Sequence, residues 1–209
     1  MENNERIKII LASASPRRKQ LLEAAGLEFE IRVADIDETL DAEMAKEPSK
    51  AALVLAEKKA GAVVSELLES NPLETTLVIA ADTMVVFNNE IFGKPRSFSD
   101  AKGMLRKLSG NTHKVVTAVS VWMIAVPKPG KVTVGRKSFV ESSLVTFVPL
   151  SDEAIDAYLR AGESFDKAGA YAAQGEGAKL IKAVEGDLDT VIGLPVRKLL
   201  EEFPELMRL

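Results

Sequence analysis

The sequence predicts an α/β protein, with an α+β arrangement as the neighbouring alternative. Two observations carry that reading. Apolar runs of strand length alternate along the whole chain with amphipathic stretches of helical period. The composition, 46% hydrophobic and 28% charged over 209 residues, belongs to a chain that can bury a real core. That length suits one large domain or two closely packed lobes.

The elements follow in order. Ile7–Ala12 is an apolar strand, and Ser13-Ala14-Ser15-Pro16-Arg17-Arg18 turns it into a helix that stops near Gly26. Ser15 suits the N-cap and Pro16 the first helical position. Phe29–Val33 alternates as a short strand and leads into the acidic loop Asp35-Ile36-Asp37-Glu38-Thr39. Ser49 opens a long amphipathic helix reaching Leu67-Leu68, with Pro48 just before it. Leu77–Ala81 reads as a central buried strand, interrupted by Asp82-Thr83 and resumed at Met84–Phe87; Asn88-Asn89-Glu90 then turns it back through Ile91-Phe92. Ser97 and Asp100 form a capping-box variant ahead of the helix Ala101–Leu108, which Gly110 closes. His113–Ala125 and Val132–Val148 are two long strands joined by the turn Pro127-Lys128-Pro129-Gly130. A helix spans Asp152–Arg160. The glycine-rich loop Gly169–Gly177 precedes a strand at Ala178–Val184, a turn at Val191-Ile192 and a last helix begun by Pro195. The lobes would divide the 35–55 region and the termini from the middle and the 150–185 segment.

Composition removes whole classes of function. The net charge of −4 argues against nucleic-acid polymers and anionic membranes. The absence of cysteine removes disulfides, thiol catalysis and cysteine-bound metals, and a single histidine removes a multi-histidine metal site. No apolar run reaches the roughly 20 residues that span a bilayer. The start Met-Glu-Asn-Asn-Glu-Arg lacks the basic character of a secretion signal, which points to a soluble cytoplasmic protein.

Against this acidic background the basic turn stands out. A helix N-terminus is already partly positive, so Arg17 and Arg18 there, with the hydroxyls of Ser13 and Ser15, suit an anion such as a phosphate chain. The alternative is an exposed turn with two solvated arginines. Asp82 interrupts an apolar run, where a charge costs several kcal/mol unless paired. It either lines a cleft as a base or metal ligand, or is solvated at a strand edge. The loop carboxylates, Glu38 among them, can join Asp82 around a hard cation, Mg²⁺ or Mn²⁺, since oxygen ligands are what the chain offers. Lys94, between Gly93 and Pro95, can aim an ammonium at a phosphate or simply occupy a turn. One of Lys58 and Lys59 should face inward on the long helix. Thr83 has a hydroxyl placed for a ligand, and the Gln174 amide can read a base edge. The glycines match neither a P-loop nor a dinucleotide fingerprint. His113, Trp122 and the phenylalanines read as structural.

Taken together, Ser13–Arg18 with Leu21-Leu22, Asp37-Glu38-Thr39, Ala81-Asp82-Thr83, Gly93-Lys94-Pro95, Lys107-Leu108-Ser109-Gly110, Asp166–Tyr171, Gln174-Gly175 and Gly193-Leu194-Pro195 resemble the Maf family in motif and order, from about residue 7 to 205. The resemblance implies one domain, residues 1–209, with a long twisted mixed sheet and flanking helices forming two lobes around a cleft, related to the inosine-triphosphate pyrophosphatases. It implies hydrolysis of nucleoside triphosphates between the α and β phosphates with a divalent cation, Mg²⁺ or Mn²⁺, often by a homodimer. Carried over residue by residue, Asp82 would accept the proton and also, with Glu38, hold the metal. Ser13, Arg17, Arg18, Lys59, Thr83, Lys94 and Gln174 would bind substrate. Arg17, Thr83 and Gln174 resemble the branch acting on dTTP and UTP. A 7-methyl-GTP pyrophosphatase of the same family and a non-catalytic nucleotide-binding regulator of septum formation are the alternatives. Lys58 replaces a common acidic residue, and Ala173 is smaller than the usual aliphatic residue before Gln174, which leaves room for modified pyrimidines.

Overall fold

The computed structural model describes residues 7–33, 35–41, 43–128 and 130–208. Its centre is a seven-stranded mixed sheet. The strands are β1 (Lys8–Leu11), β2 (Glu30–Ile31), β3 (Thr76–Phe87), β4 (Glu90–Phe92), β5 (Thr112–Lys128), β6 (Lys131–Phe147) and β7 (Ile181–Glu185), in the spatial order β2-β1-β3-β5-β6-β7, with β4 also paired to β3. β1 runs parallel to β2 and β3, and all other pairings are antiparallel. The helices are α1 (Pro16–Ala24), α2 (Pro48–Glu69), α3 (Phe98–Leu108), α4 (Asp152–Arg160), α5 (Leu188–Ile192) and α6 (Val196–Glu202).

Alternation along β3 assigns its neighbours. Leu77, Ile79 and Ala81 face a core shared with Leu22 of α1 and Leu199 of α6. Val78, Ala80 and Met84 face the opposite side, where the stripe Ala52, Leu55, Ala56, Ala60 and Val63 of α2 covers the sheet. A third core joins the far ends of β5 and β6 to α3 and α4 through Val115, Phe147, Leu105, Ile155 and Leu159. Burying apolar area at roughly 25 cal/mol per Å² is what holds these layers together.

Several boundaries differ from the expectations. β3 is continuous through Asp82 and Thr83, which pair with Ala118 and Thr117 of β5, so the polar pair does not break the strand. A cross-strand ladder on one side is enough to keep the backbone extended. α2 begins one residue early, with Pro48 in its first turn, and α3 begins at Phe98 behind the Ser97 cap, whose hydroxyl accepts from the Asp100 amide at 3.1 Å. The Phe29–Val33 strand contracts to Glu30–Ile31, which pair with Ile10 and Leu11 of β1. Residues 178–180 belong to a 3-10 turn before β7, and Val191-Ile192 lie in α5 instead of a turn. Pro129 of the expected β5–β6 turn lies outside the described residues.

The sheet also contains a gap. On the β1 side, β3 pairs with β1 only up to Ile79, whose carbonyl then accepts from the Ala12 amide at 2.8 Å. Pairing resumes with β4 at Val85. Between these points the edge of β3 has no strand neighbour among the described residues, and the chain after β1 swings off into α1. Such a divergence of strands is where sheets of this class open a crevice.

Candidate active site

A cavity of about 690 Å³ fills that gap, within the size range of small-molecule sites. Its walls bring together almost every residue singled out from the sequence: Ser13, Arg17, Arg18, Glu38, Lys59, Asp82, Thr83 and Lys94. Five basic side chains against three carboxylates line it, counting Lys167 and Asp166, although the chain as a whole is acidic. The lining also includes Phe92, Val115, Tyr171 and Val191, which belong to one apolar cluster. A cavity that offers both charges and an apolar patch suits a molecule that carries both.

Strand alternation decides which helix each polar residue of β3 meets. Asp82 points to the α2 side, where Lys59 occupies the sheet-facing stripe between Ala56 and Val63. The Lys59 ammonium donates to Asp82 Oδ1 at 2.6 Å and to Glu38 Oε2 at 3.0 Å. Lys58, one position round, is exposed, which settles which lysine faces inward. Asp82 is only 7% exposed, and burial raises its pKa, with Lys59 and then Arg18 pulling it back down. The side chain of Glu38 is half-exposed at the mouth of the cavity.

Thr83 points to the other side and meets Arg18. The Arg18 guanidinium donates from Nε to the Gly193 carbonyl at 2.8 Å, from Nη1 to Ser13 Oγ at 3.2 Å and from Nη2 to Thr83 Oγ1 at 3.1 Å. Desolvation lowers its pKa, offset in part by Asp82. A rigid five-donor fork thus ties the β1–α1 turn, β3 and the segment before α6 into one unit. Gly193 takes φ +130°, and a Cβ there would stand 3.3 Å from Thr83 Oγ1, so glycine answers both the conformation and the close approach.

The remaining cations are less committed. Arg17 Nε is buried without a hydrogen-bond partner among the described residues, a donor left for something in the cavity. Lys94 is exposed on the cavity wall and makes no hydrogen bond or ion pair with a described residue. Its loop is held from behind by the Gly169 amide, which donates to the Gly93 carbonyl at 3.1 Å. Gly169 has φ +69°, and a Cβ would lie 3.0 Å from Val85 Cγ1. Lys167, paired with Asp166 at 2.5 Å, adds a cation that the sequence reading left among the flanking residues. Gln174 is the one expected site residue outside the lining. It is exposed, next to the lining residue Ala173.

His113 proves structural, as expected. It is 2% exposed, stacks edge-on against Phe147 and bonds through Nε2 to the Tyr171 hydroxyl at 2.8 Å. That bond fixes a ring of the cavity's apolar lining.

The family model described as Maf-like protein matches residues 8–206. The chain belongs to the Maf family. Relatives named dTTP/UTP pyrophosphatase, from Bacillus cereus and Bacillus anthracis, are each 43% identical over 198 residues, 95% of this chain and 95% of theirs. Among solved structures, the Staphylococcus aureus Ham1 protein aligns over 95% of this chain and 98% of its own, at 16% identity and a TM-score of 0.44.

A divalent cation is implied by the family resemblance, and the donor set fits one. Glu38 and Asp82 offer hard carboxylate oxygens that share Lys59 as a neighbour. No group of three His, Cys, Asp or Glu that could hold a metal occurs among the described residues. One or two carboxylates completed by substrate phosphate and water is the usual way Mg²⁺ is held in phosphoryl chemistry.

Proposed function

We propose that this chain is a nucleoside triphosphate pyrophosphatase that hydrolyses dTTP and UTP, with room for modified pyrimidine nucleotides, to the monophosphate and pyrophosphate. The observation that carries the reading is the Lys59 ammonium bridging Asp82 and Glu38 in a cavity whose wall also presents Arg17 and Lys94. The relatives named dTTP/UTP pyrophosphatase support the choice of substrate.

In this mechanism Arg17 and Lys94 take the phosphate chain at the N-terminus of α1, where free amides and the helix dipole favour negative charge. Ser13 and Arg18 hold the turn in place. Asp82 accepts a proton from the water that attacks the α-phosphorus, and its raised pKa makes it a better base than a solvated carboxylate. Lys59 keeps Asp82 oriented and charged until that step. The cations stabilise pyrophosphate as it leaves, the electrostatic contribution on which phosphoryl transfer chiefly depends. Glu38 and Asp82 would hold Mg²⁺ or Mn²⁺, which when bound supplies charge neutralisation on phosphate oxygens and a more acidic water. The apolar lining, with Tyr171 and Phe92, receives the base, and Gln174, exposed beside the lining residue Ala173, keeps the base-reading role that the resemblance implies.

Residues 1–209 act in this reading as one domain whose two lobes flank the cavity, in the cytoplasm and as a homodimer, as the resemblance to the family implies. No helix among the described residues is long and apolar enough to cross a membrane. The test is product identification with purified protein and Mg²⁺ on dTTP, UTP and 7-methyl-GTP. Pyrophosphate from the two pyrimidine nucleotides supports the reading. Orthophosphate would make it a phosphatase, 7-methyl-GTP preference would move it to the other branch, and tight binding without release would make it a nucleotide-binding regulator.

A further inference from the structure

One stretch of the cavity wall is held from outside the cavity. Tyr171, Ala172 and Ala173 line it, and the chain then bends back through residues 174–177. The two ends of the bend touch: a Cβ on Gly177 would stand 2.2 Å from the Ala172 carbonyl oxygen. Glu163, three residues beyond the end of α4, reaches into this bend. Its Oε1 accepts from the Glu176 amide and its Oε2 from the Gly177 amide, both at 3.4 Å. Each contact is long, but one carboxylate serves two successive amides, and a charged acceptor makes the stronger kind of hydrogen bond. Gly175 sits against the same carboxylate. It takes φ +63°, and a Cβ there would stand 2.8 Å from Glu163 Oε1, so any larger side chain displaces the carboxylate.

α4 supplies a second tie. The Ala172 amide donates to the Tyr158 hydroxyl at 3.1 Å, and Tyr158 belongs to the buried cluster that includes Leu105, Ile155 and Leu159. The wall segment is therefore fastened at its start by Tyr158 and at its return by Glu163, both based on one packed helix. Glu163 itself does not line the cavity. We propose that Glu163 is a positioning residue that fixes the wall segment 171–173 through the bend, and so prepares the cavity for the nucleotide. This rests on the pyrophosphatase reading above. A wall already in place needs no ordering when substrate arrives, whereas a loosened wall must be ordered by the substrate itself. Loss of the carboxylate leaves the reacting groups around Asp82 untouched, so the penalty falls on KM and on the dissociation constant and spares kcat.

The test compares wild type, Glu163→Ala and Glu163→Gln by amide hydrogen exchange, UTP dissociation constant, and kcat and KM for pyrophosphate release. In Glu163→Ala the Glu176 and Gly177 amides exchange about tenfold faster, while the Ala172 amide, held by Tyr158, is unchanged. The UTP dissociation constant and KM rise about fivefold, and kcat stays within about twofold. Glu163→Gln keeps an acceptor oxygen for one amide and recovers part of the affinity; a glutamine variant as weak as the alanine one overturns the hydrogen-bonded role. Gly175→Ala approaches the same contact from the other side. It raises KM in the wild type and by less in Glu163→Ala, where no carboxylate is left to displace. Unchanged exchange at Glu176 and Gly177 in Glu163→Ala overturns the proposal, as does a loss confined to kcat with UTP binding intact. A wild type that binds UTP and releases no pyrophosphate removes the enzymatic reading, and exchange and binding still decide this one.

Discussion

Acidification should weaken the fold through His113, by an amount that can be worked out. Its ring is buried against Phe147 and Tyr171, and burial lowers its pKa from 6.5 to about 4. The folded protein therefore resists a proton that the unfolded chain accepts. The stability held by the neutral ring is fully present above pH 6.5, declines as pH falls through the window from 6.5 to about 4, and is gone below it. The gap between the two values corresponds to about 3 kcal/mol. Nδ1 has no hydrogen-bond partner among the described residues, and burial is the cause of the shift. The assay is urea unfolding of wild type and His113→Gln at pH 7.5, 5.5 and 4.0. The glutamine keeps a polar partner within reach of Tyr171 and does not titrate. Carboxylates titrate in both proteins and cancel in the difference, leaving a wild-type advantage that shrinks by about 3 kcal/mol across the window. A difference between the two proteins that stays flat from pH 7.5 to 4.0 would rule out a buried, neutral His113 ring as the source of the pH dependence.

Two further perturbations bear on the site. Lys59→Met removes the ammonium that holds Asp82 and Glu38. It should cost about 2 kcal/mol, less than a sealed ion pair because the pair opens on the cavity, and at least about 100-fold in kcat. Since Asp82 must be ionised to act as a base, the further rise in its pKa should move the acidic limb of the pH–rate profile upward; an unmoved limb would argue against the pairing. Gly193→Ala forces a Cβ against Thr83 and Arg18 at a φ that alanine resists. Thermal and chemical unfolding should show a loss of about 1–3 kcal/mol, accompanied by lower kcat/KM.

Much of this site was legible in the chain because its parts are local. The turn Ser13–Arg18 announces its own cap, proline and charges, and the amphipathic period of α2 shows that one of Lys58 and Lys59 faces inward, with the structure choosing Lys59. Asp82 was conspicuous for its setting, yet the sequence suggested a break in the strand. Only the β5 ladder shows that the extended backbone runs through it. The links that complete the site are long-range and left no local trace. Arg18 bonds to Gly193 across 175 residues, Thr117 to Thr190 across 73, and His113 to Tyr171 across 58. A threonine in a β strand looks the same whether it faces solvent or donates to a distant carbonyl. Gln174 shows the converse: its motif is clear, but nothing local dictates which way a glycine-flanked side chain turns, and it lies beside the lining.

The proposed role of Asp82 as the base of a pyrophosphate-releasing site is tested by UTP binding set beside pyrophosphate release in Asp82→Asn with Mg²⁺ present. The substitution keeps size and hydrogen-bonding capacity while removing the charge. UTP binding retained within a few-fold and release lowered by roughly 10²–10⁴-fold is the predicted result. Undiminished release would contradict it.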